Sequence, residues 1–391
     1  MAKSIAVIEF GTSKIVCATA KRDAFNVFSV ETFEQTPFSG IKNGKIVNLD
    51  DTKEKVFEVL KETKNAANKK IRAVYVGVPA CFCKVGFFES TVDIDNNIVT
   101  AKHMEDAVNR EHNMVSNEYK LLSAMPVYFK LDDGQYYLDP ENMRSSKMTA
   151  GVSYIVGEKS ALRQIYNIFY ELNIAVVKMI PDFLAEGLFM VPPHFRDEVA
   201  AYVNCGKYDT NVSILCGDAV IENHNISIGG EDITRDLSRV LKIDLKAAEK
   251  LKKRFTLGMS YSENDYEYII GEEVIGRRFS CDLIEKIIES RVEQLAEIIY
   301  NKINKCVLPV SRKNPVIFSG GGLILIRGVK EFLIKNFNRK IHLAKLNYLP
   351  YDSPSCSTIA GMMHYLFSSG AELVRMNSII FAIRKTHKKN R

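Results

Sequence analysis

Gly11, Thr12, Ser13 and Lys14 put a glycine, two hydroxyls and an amine in a tight polar turn between the apolar runs Ile5–Ile8 and Ile15–Ala20. A turn of this kind can cradle phosphate with backbone N–H groups and one cation; the same residues also suit an ordinary surface hairpin. Near the other end, an apolar run through Phe318 leads into Gly320, Gly321 and Gly322, with a helix-like stretch from Val329 to Leu333 beyond. Glycine has no Cβ to hold a backbone away from a ligand, so this strand-to-helix turn is a second candidate contact. Many strands end in glycines for local reasons alone. Between the two, Asn204-Cys205-Gly206-Lys207-Tyr208-Asp209 turns between the strand-like runs Val199–Val203 and Thr210–Leu215. It repeats the first turn in outline and departs from it in chemistry.

The elements that must position these turns alternate between strand and helix, which points to an α/β layer architecture. Asp51–Ala67 reads as an amphipathic helix with Val56, Val59, Leu60 and Thr63 on one face, and Ile71–Val78 as a strand ending at Pro79. From about Lys84 to Ile155 the texture changes. Strand-like runs (Val85–Ile94, Met125–Leu131, Thr149–Val156) surround a charged helix from about Thr100 to His112, as in a small α+β insert. Lys159–Leu172 reads as a helix, Ala175–Met179 as a short strand, and Pro181 and Pro192-Pro193 bracket a helix over Asp182–Phe189. Val220–Ile228 continues the second sheet, and Gly229 and Gly230 launch a helix through Leu241. Asp244 is a plausible N-cap for a helix over Leu245–Arg254. Helices over Ser280–Lys305 and Ser357–Phe367 complete the reading. Two halves, each opening on a strand–turn–strand, imply two similar lobes closing on a shared ligand.

A chain of 391 residues, 46% apolar and 26% charged, has the length and balance of a soluble protein of two or more domains. The net charge of +6 permits an acidic partner or an anionic membrane. No uninterrupted apolar segment approaches the ~20 residues that a membrane crossing needs, and the opening residues lack the apolar stretch of a signal peptide. The eight cysteines show no four-ligand metal spacing and read as reduced thiols. Over 370–391, Leu373, Met376, Ile380 and Ile383 form one helical stripe, and Arg384, Lys385, Lys388, Lys389 and Arg391 crowd the end. Such a segment can lie in a lipid headgroup layer, each basic residue adding about 1 kcal/mol. It can equally be a last core helix with a frayed basic end.

Taken in order, these features resemble the FtsA family, actin-like proteins of bacterial cell division within the actin/Hsp70 superfamily. The likeness runs through Gly11–Lys14, Gly40-Ile41-Lys42-Asn43-Gly44, Asp139-Pro140 with Met143, Ile228–Thr234, Ala248–Lys252, the triglycine turn with Gly328, and Ser357–Gly361. It implies an α/β, actin-like two-lobed fold with an insert in the first lobe. The corresponding division is 1–83 and 161–198 for the first lobe, 84–160 for the insert, 199–235 and 306–369 for the second lobe core, 236–305 for its small subdomain, and 370–391 for the tail. The resemblance also implies a nucleotide site built from Gly11, Thr12, Ser13, Lys14, Gly206, Gly229, Gly230, Glu249, Lys252, Gly320, Gly321 and Gly322, with Lys253 near the adenosine end. Read without it, Glu249, Lys252 and Lys253 are a solvated face of a charged helix.

The chain departs from the superfamily where phosphate chemistry is done. The first turn begins with Glu9 where Asp is usual, and the pattern Asp-x-Gly-Gly-Gly-Thr-Thr-Asp is replaced by Asn204 through Asn211. Both flanking acids have become amides, Lys207 and Tyr208 are expected to fill space that phosphate needs, and no spare catalytic carboxylate is evident. Three outcomes stay open: ATP or ADP bound without efficient turnover and with weak Mg dependence, weak binding, or an empty, collapsed pocket. No catalytic residue and no protein-held metal is assigned, and the expectation is a non-enzyme or at most a very slow ATPase. As partners the resemblance implies the C-terminal tail of FtsZ on the small subdomain, an anionic membrane surface, self-association into filaments, and other division proteins through the insert, with no nucleic acid. The location it implies is the cytoplasmic face of the cell membrane at the division site. The rival readings are an ATPase or sugar-kinase-like enzyme of the superfamily, and a pilus-assembly actin homologue.

Overall fold

A computed structural model describes residues 4–22, 28–42, 44–110, 114–262, 264–269, 276–346 and 353–368. Its organising feature is one sheet topology used twice. The first five-stranded sheet runs Ala175–Pro181, Ala73–Val78, Ile5–Phe10, Lys14–Arg22, Phe28–Pro37. The second runs Ile341–Leu343, Val316–Ser319, Ala200–Cys205, Thr210–Cys216, Ala219–Ile226. In each, a meander of three antiparallel strands is extended by two parallel strands beside the first of the three. Hairpins suffice for the antiparallel part; the parallel strands need the intervening helices as crossovers.

Apolar faces of helices cover these sheets. Leu49–Ala67 starts at Asn48, whose side chain accepts from the Asp51 N–H, and buries Thr52, Val56, Val59, Leu60 and Thr63. That is the face expected from the sequence, extended by a turn. Lys159–Glu171 buries Ala161, Leu162, Ile165, Ile168 and Phe169 against the same core. On the second sheet lie Gly230–Leu241 and the 24-residue helix Cys281–Asn304, whose buried residues Ile284, Ile288, Val292, Leu295 and Ile299 repeat every three or four positions. Each such aliphatic side chain contributes roughly 1.5–3 kcal/mol on burial. Asp244 caps Leu245–Arg254 by accepting from the Ala247 N–H, as expected.

The stretch from Cys83 to Glu158 holds a separate four-stranded antiparallel sheet, ordered Cys83–Asp93, Lys147–Glu158, Tyr119–Leu131, Tyr136–Tyr137, with the helix Ala101–Asn109 packed on it. Between the two large sheets, Asp182–Met190 crosses Ser357–Ser368. A Cβ at Gly361 would stand 2.6 Å from the Glu186 Cα, so only glycine permits this approach. The crossing helices form the floor of a cleft between the lobes.

Several elements were not foreseen, the short strands Tyr136–Tyr137 and Ile341–Leu343 among them. Phe28–Pro37 is a ten-residue edge strand whose inward positions are Thr32 and Thr36, with Thr32 and Thr19 hydroxyls bonded at 2.7 Å; threonine at the inward positions weakens the apolar alternation that marks a strand. Tyr266–Ile269 and Arg277–Ser280 pair as a small hairpin in the second lobe. The basic tail over 370–391 lies outside the described residues.

Candidate functional site

The strand–turn–strand units open into the cleft from opposite sides and close in the same way. The Gly11 N–H donates to the Lys14 carbonyl at 2.9 Å, and the Gly206 N–H to the Asp209 carbonyl at 2.8 Å. Strand register fixes the equivalence: Glu9 pairs with Val16 and Phe10 with Ile15, as Asn204 pairs with Asn211 and Cys205 with Thr210. The two turns touch. Thr12 Oγ1 donates to Asp209 Oδ1 at 3.0 Å, and Asn225 Nδ2 donates to the other oxygen at 3.0 Å. Lys14 Nζ donates to Gln35 Oε1 at 3.0 Å and reaches Ser355 Oγ at 3.4 Å.

The glycines serve mainly to bring backbone against backbone. A Cβ on Gly322 would stand 2.0 Å from the Gly206 carbonyl oxygen, and one on Gly230 would stand 2.6 Å from the Gly322 Cα. Gly320 has φ +85° and sits against the Cys205 carbonyl. Gly321 has more room, its nearest neighbour being Ser355 Cβ at 3.5 Å. The helix after Gly229 likewise spends its first N–H groups on protein: Gly230 donates to the Gly206 carbonyl at 3.0 Å and Glu231 to the Lys207 carbonyl at 2.7 Å. The turns, the helix start and the triglycine segment therefore form one interlocked block.

A cavity of about 410 Å³ lies above this block, within the range of small-molecule sites. All the sequence-predicted binding residues line it except Gly229, whose N–H is taken by Asp232 Oδ2. The cleft is open, so the collapsed alternative is not what the fold presents. Tyr208 departs from expectation: it lines a second cavity of about 370 Å³, with Lys42, Cys81 and Arg235, and not the main cleft. Lys207 does line the cleft, with its Nζ 3.6 Å from Glu231 and 5.0 Å from the Tyr208 ring centroid.

Asp182 and Glu186, which the sequence reading did not single out, are further carboxylates in the cleft wall. They stand one helical turn apart in a segment otherwise made of Phe183, Leu184, Ala185 and Gly187, and that pair of acids in an apolar helix was the available signal. Glu186 is a buried node: Tyr202 Oη donates to it at 2.8 Å, Asn204 Nδ2 at 2.7 and 2.9 Å to its two oxygens, and the Ser357 hydroxyl as well. Burial raises its pKa against these bonds. Asp182 is pushed well above the usual carboxylate range by burial and then by Glu9 and Glu186. Burial also raises Glu9, to about 7, with Lys14 opposing and Glu186 adding to the rise. Glu9 is 7% exposed, and its Oε2 has no hydrogen-bond partner, nor does the buried Oδ1 of Asn211. Two orphaned acceptors in a cleft wall fit a donor from outside the chain, such as water or the hydration shell of a cation.

At the far end Lys252 is buried, not part of a solvated face: its Nζ donates to the Gly230 carbonyl at 2.8 Å and Thr234 Oγ1 at 2.9 Å, and pairs with Glu249 at 2.6 Å. Glu249 also binds Lys253 at 3.1 Å and accepts from Thr234. With Gly321 and Leu325 these residues make a wall suited to a nucleoside. Beside the two turns Asp209 also lines the cavity, and a carboxylate there suits an anionic ligand less well.

A family model described as "Cell division protein FtsA" matches residues 201–361. A relative of that name from Neisseria meningitidis serogroup B is 21% identical over 92% of this chain and 89% of its own length. One from Bacillus subtilis is 22% identical over 92% and 82%. The chain is therefore similar in sequence to proteins of that name along most of its length. Among solved structures, a PilM–PilN type IV pilus biogenesis complex aligns with TM-score 0.64 and 16% identity, covering 94% of this chain and 98% of that one. MreB5 of Spiroplasma citri bound to AMPPNP aligns with TM-score 0.59 and 11% identity, covering 94% and 97%. At such identities the structural matches establish the fold, which is actin-like with mixed α/β sheets.

Proposed function

We propose that this FtsA-like chain is a cell-division scaffold that holds filaments of FtsZ at the inner face of the cytoplasmic membrane, with its cleft retained for nucleotide binding and not for turnover. The observation that carries the reading is the combination of whole-length likeness to proteins named for division with a second turn in which Asn204 and Asn211 replace the acids of the superfamily pattern. An actin-like ATPase needs acidic groups near the phosphates to place Mg²⁺ and water.

The FtsZ contact is assigned to the small subdomain, about 236–305. Arg239, Lys242, Lys246 and Lys250 are exposed there, beside the exposed apolar residues Val240, Leu245 and Met259. An acidic peptide with apolar anchors suits such a surface. Of the other basic residues nearby, Lys252 is buried, and Lys253 and Arg254 are paired with Glu249 and Glu267. Membrane attachment is assigned to 370–391, self-association to the actin-like body, and contacts with other division proteins to the 84–160 insert.

A fluorescent fusion tests the reading directly. A midcell band is expected; foci at poles or secretion sites would favour a pilus-assembly role instead. Full-length protein should pellet with anionic liposomes, and a chain stopped after Ser369 should not. Steady ATP turnover by the pure protein, abolished by Glu9→Gln, would overturn the non-enzymatic assignment.

A further inference from the structure

We propose that Asp209 is a built-in anion that makes the cleft selective for a nucleoside carrying at most two phosphates, so that a nucleoside diphosphate is held and a triphosphate refused. In the first turn the residue that accepts the closing backbone bond is Lys14; in the second it is Asp209. The position that supplies a cation from one lobe supplies a carboxylate from the other. That carboxylate lies in the seam between the turns, where Thr12 Oγ1 of the opposite lobe donates to it at 3.0 Å. A Cβ built on Gly206 would stand 3.2 Å from Asp209 Oδ1, which places the carboxylate directly over its own turn.

Both side-chain donors to Asp209, Thr12 and Asn225, are neutral, and no ion pair to it is present among the described residues. Its charge is therefore left to act on whatever enters the seam. Thr12, one of the two hydroxyls the first turn offers to an anion, is already engaged. The N–H groups of Gly230 and Glu231 are engaged too. The cleft still offers phosphate the Ser13 hydroxyl and the amines of Lys14 and Lys207, which would have to exchange their present partners for it. The nucleoside wall around Gly321, Leu325 and Lys253 carries no such obstruction. Each phosphate added to a chain that runs from the nucleoside wall toward the seam brings more negative charge up to Asp209, and like charges brought together strongly disfavour binding.

The inference rests on the cleft being a nucleotide site and not on any role in division, so a failed localisation experiment would leave it standing. The full chain is titrated with adenosine, ADP and ATP in Mg²⁺ buffer, with binding read by calorimetry. ADP is expected to bind at least about tenfold more tightly than ATP. Asp209→Asn keeps an acceptor for Thr12 and removes the charge; it should bring the ADP-to-ATP ratio to within about threefold of unity by tightening ATP, with adenosine moved less than about twofold. Raising the salt concentration on the unaltered protein gives a check that needs no variant, since an electrostatic refusal shrinks with screening and a steric one does not. Equal or tighter binding of ATP, a ratio unmoved by both Asp209→Asn and salt, or failure of adenosine and ADP to bind at millimolar concentration would each overturn the proposal.

Discussion

The two turns that face each other across the cleft share a backbone and oppose each other in chemistry. Each is closed by a glycine N–H bonded to the carbonyl three residues on, at 2.9 and 2.8 Å, and each joins the first two strands of an equivalent sheet. Position by position, Glu9 corresponds to Asn204, Thr12 to Lys207, and Lys14 to Asp209. Glycine and strand register hold the loop in place, so the side chains on it are free to change sign. The first turn keeps Ser13 and Lys14 on the cleft. The second has become a contact surface for protein, bonded to the first turn, to the helix after Gly229 and to the triglycine segment.

If that contact block is what fixes the lobes, the largest effect comes from spoiling its backbone packing. Gly322→Ala puts a methyl group 2.0 Å from the Gly206 carbonyl oxygen; we expect a loss of about 4 kcal/mol or failure to accumulate folded protein, measured by urea unfolding and soluble yield. Gly321→Ala, in the same run but with its nearest neighbour 3.5 Å away, should cost less than about 1 kcal/mol. Similar losses at both positions would mean that the interlock is not what the glycines serve.

The next contrast is between Glu9 and Asn204, equivalent positions with opposite needs. Asn204 donates to both oxygens of buried Glu186. Aspartate there, as in the superfamily pattern, would place two carboxylates in contact and remove two donated bonds. Asn204→Asp should destabilise by about 3 kcal/mol at pH 8 and by less at pH 5, where a shared proton relieves the pair. This explains the amide as a structural demand of Glu186 as much as a loss of chemistry. Glu9, in contrast, has an unbonded oxygen and a pKa raised to about 7 by burial. Its protonated form favours folding: the benefit is complete below the ordinary value of 4.5 and is lost as pH rises through about 7. Glu9→Gln should therefore match the unaltered protein near pH 4.5 and gain on the order of 2 kcal/mol over it by pH 8. A variant advantage that is flat with pH would show that Glu9 is not the titrating group.

Much of this comparison was legible in the sequence. The paired strand–turn–strand units, the helix over Leu245–Arg254 with its Asp244 cap and the strand Val316–Ser319 follow from apolar periodicity and capping chemistry, which are local. What escaped depends on contacts across hundreds of positions. Thr12 meets Asp209 at a separation of 197 residues, and Ser357 meets Glu186 at 171. Nothing near Tyr208 reveals that its ring turns to the second cavity, and nothing near Lys252 reveals that its amine is buried beneath Gly230. Asp182 and Glu186 were visible as acids in an apolar helix, but their role required knowing which strand that helix crosses.

The smallest effect tests the seam itself. Thr12→Val keeps the shape of the first turn and removes the one hydroxyl that reaches Asp209 from the other lobe. Asp209 retains Asn225 on its other oxygen and lines the open cleft, where water can reach the oxygen that Thr12 leaves, so a loss of about 1 kcal/mol is expected. Ser13→Ala, one residue along the same turn, removes a hydroxyl with no side-chain partner across the seam and should stay within about 0.5 kcal/mol. The difference between these two variants, read as urea midpoints, isolates the bond that joins the lobes. Amide exchange at Gly206 should quicken in Thr12→Val alone, because its N–H is bonded to the carbonyl of the residue that Thr12 holds. Equal exchange in both variants would place the restraint on the second turn in its own backbone, and the contact between the turns would then be a consequence of lobe closure and not a cause of it.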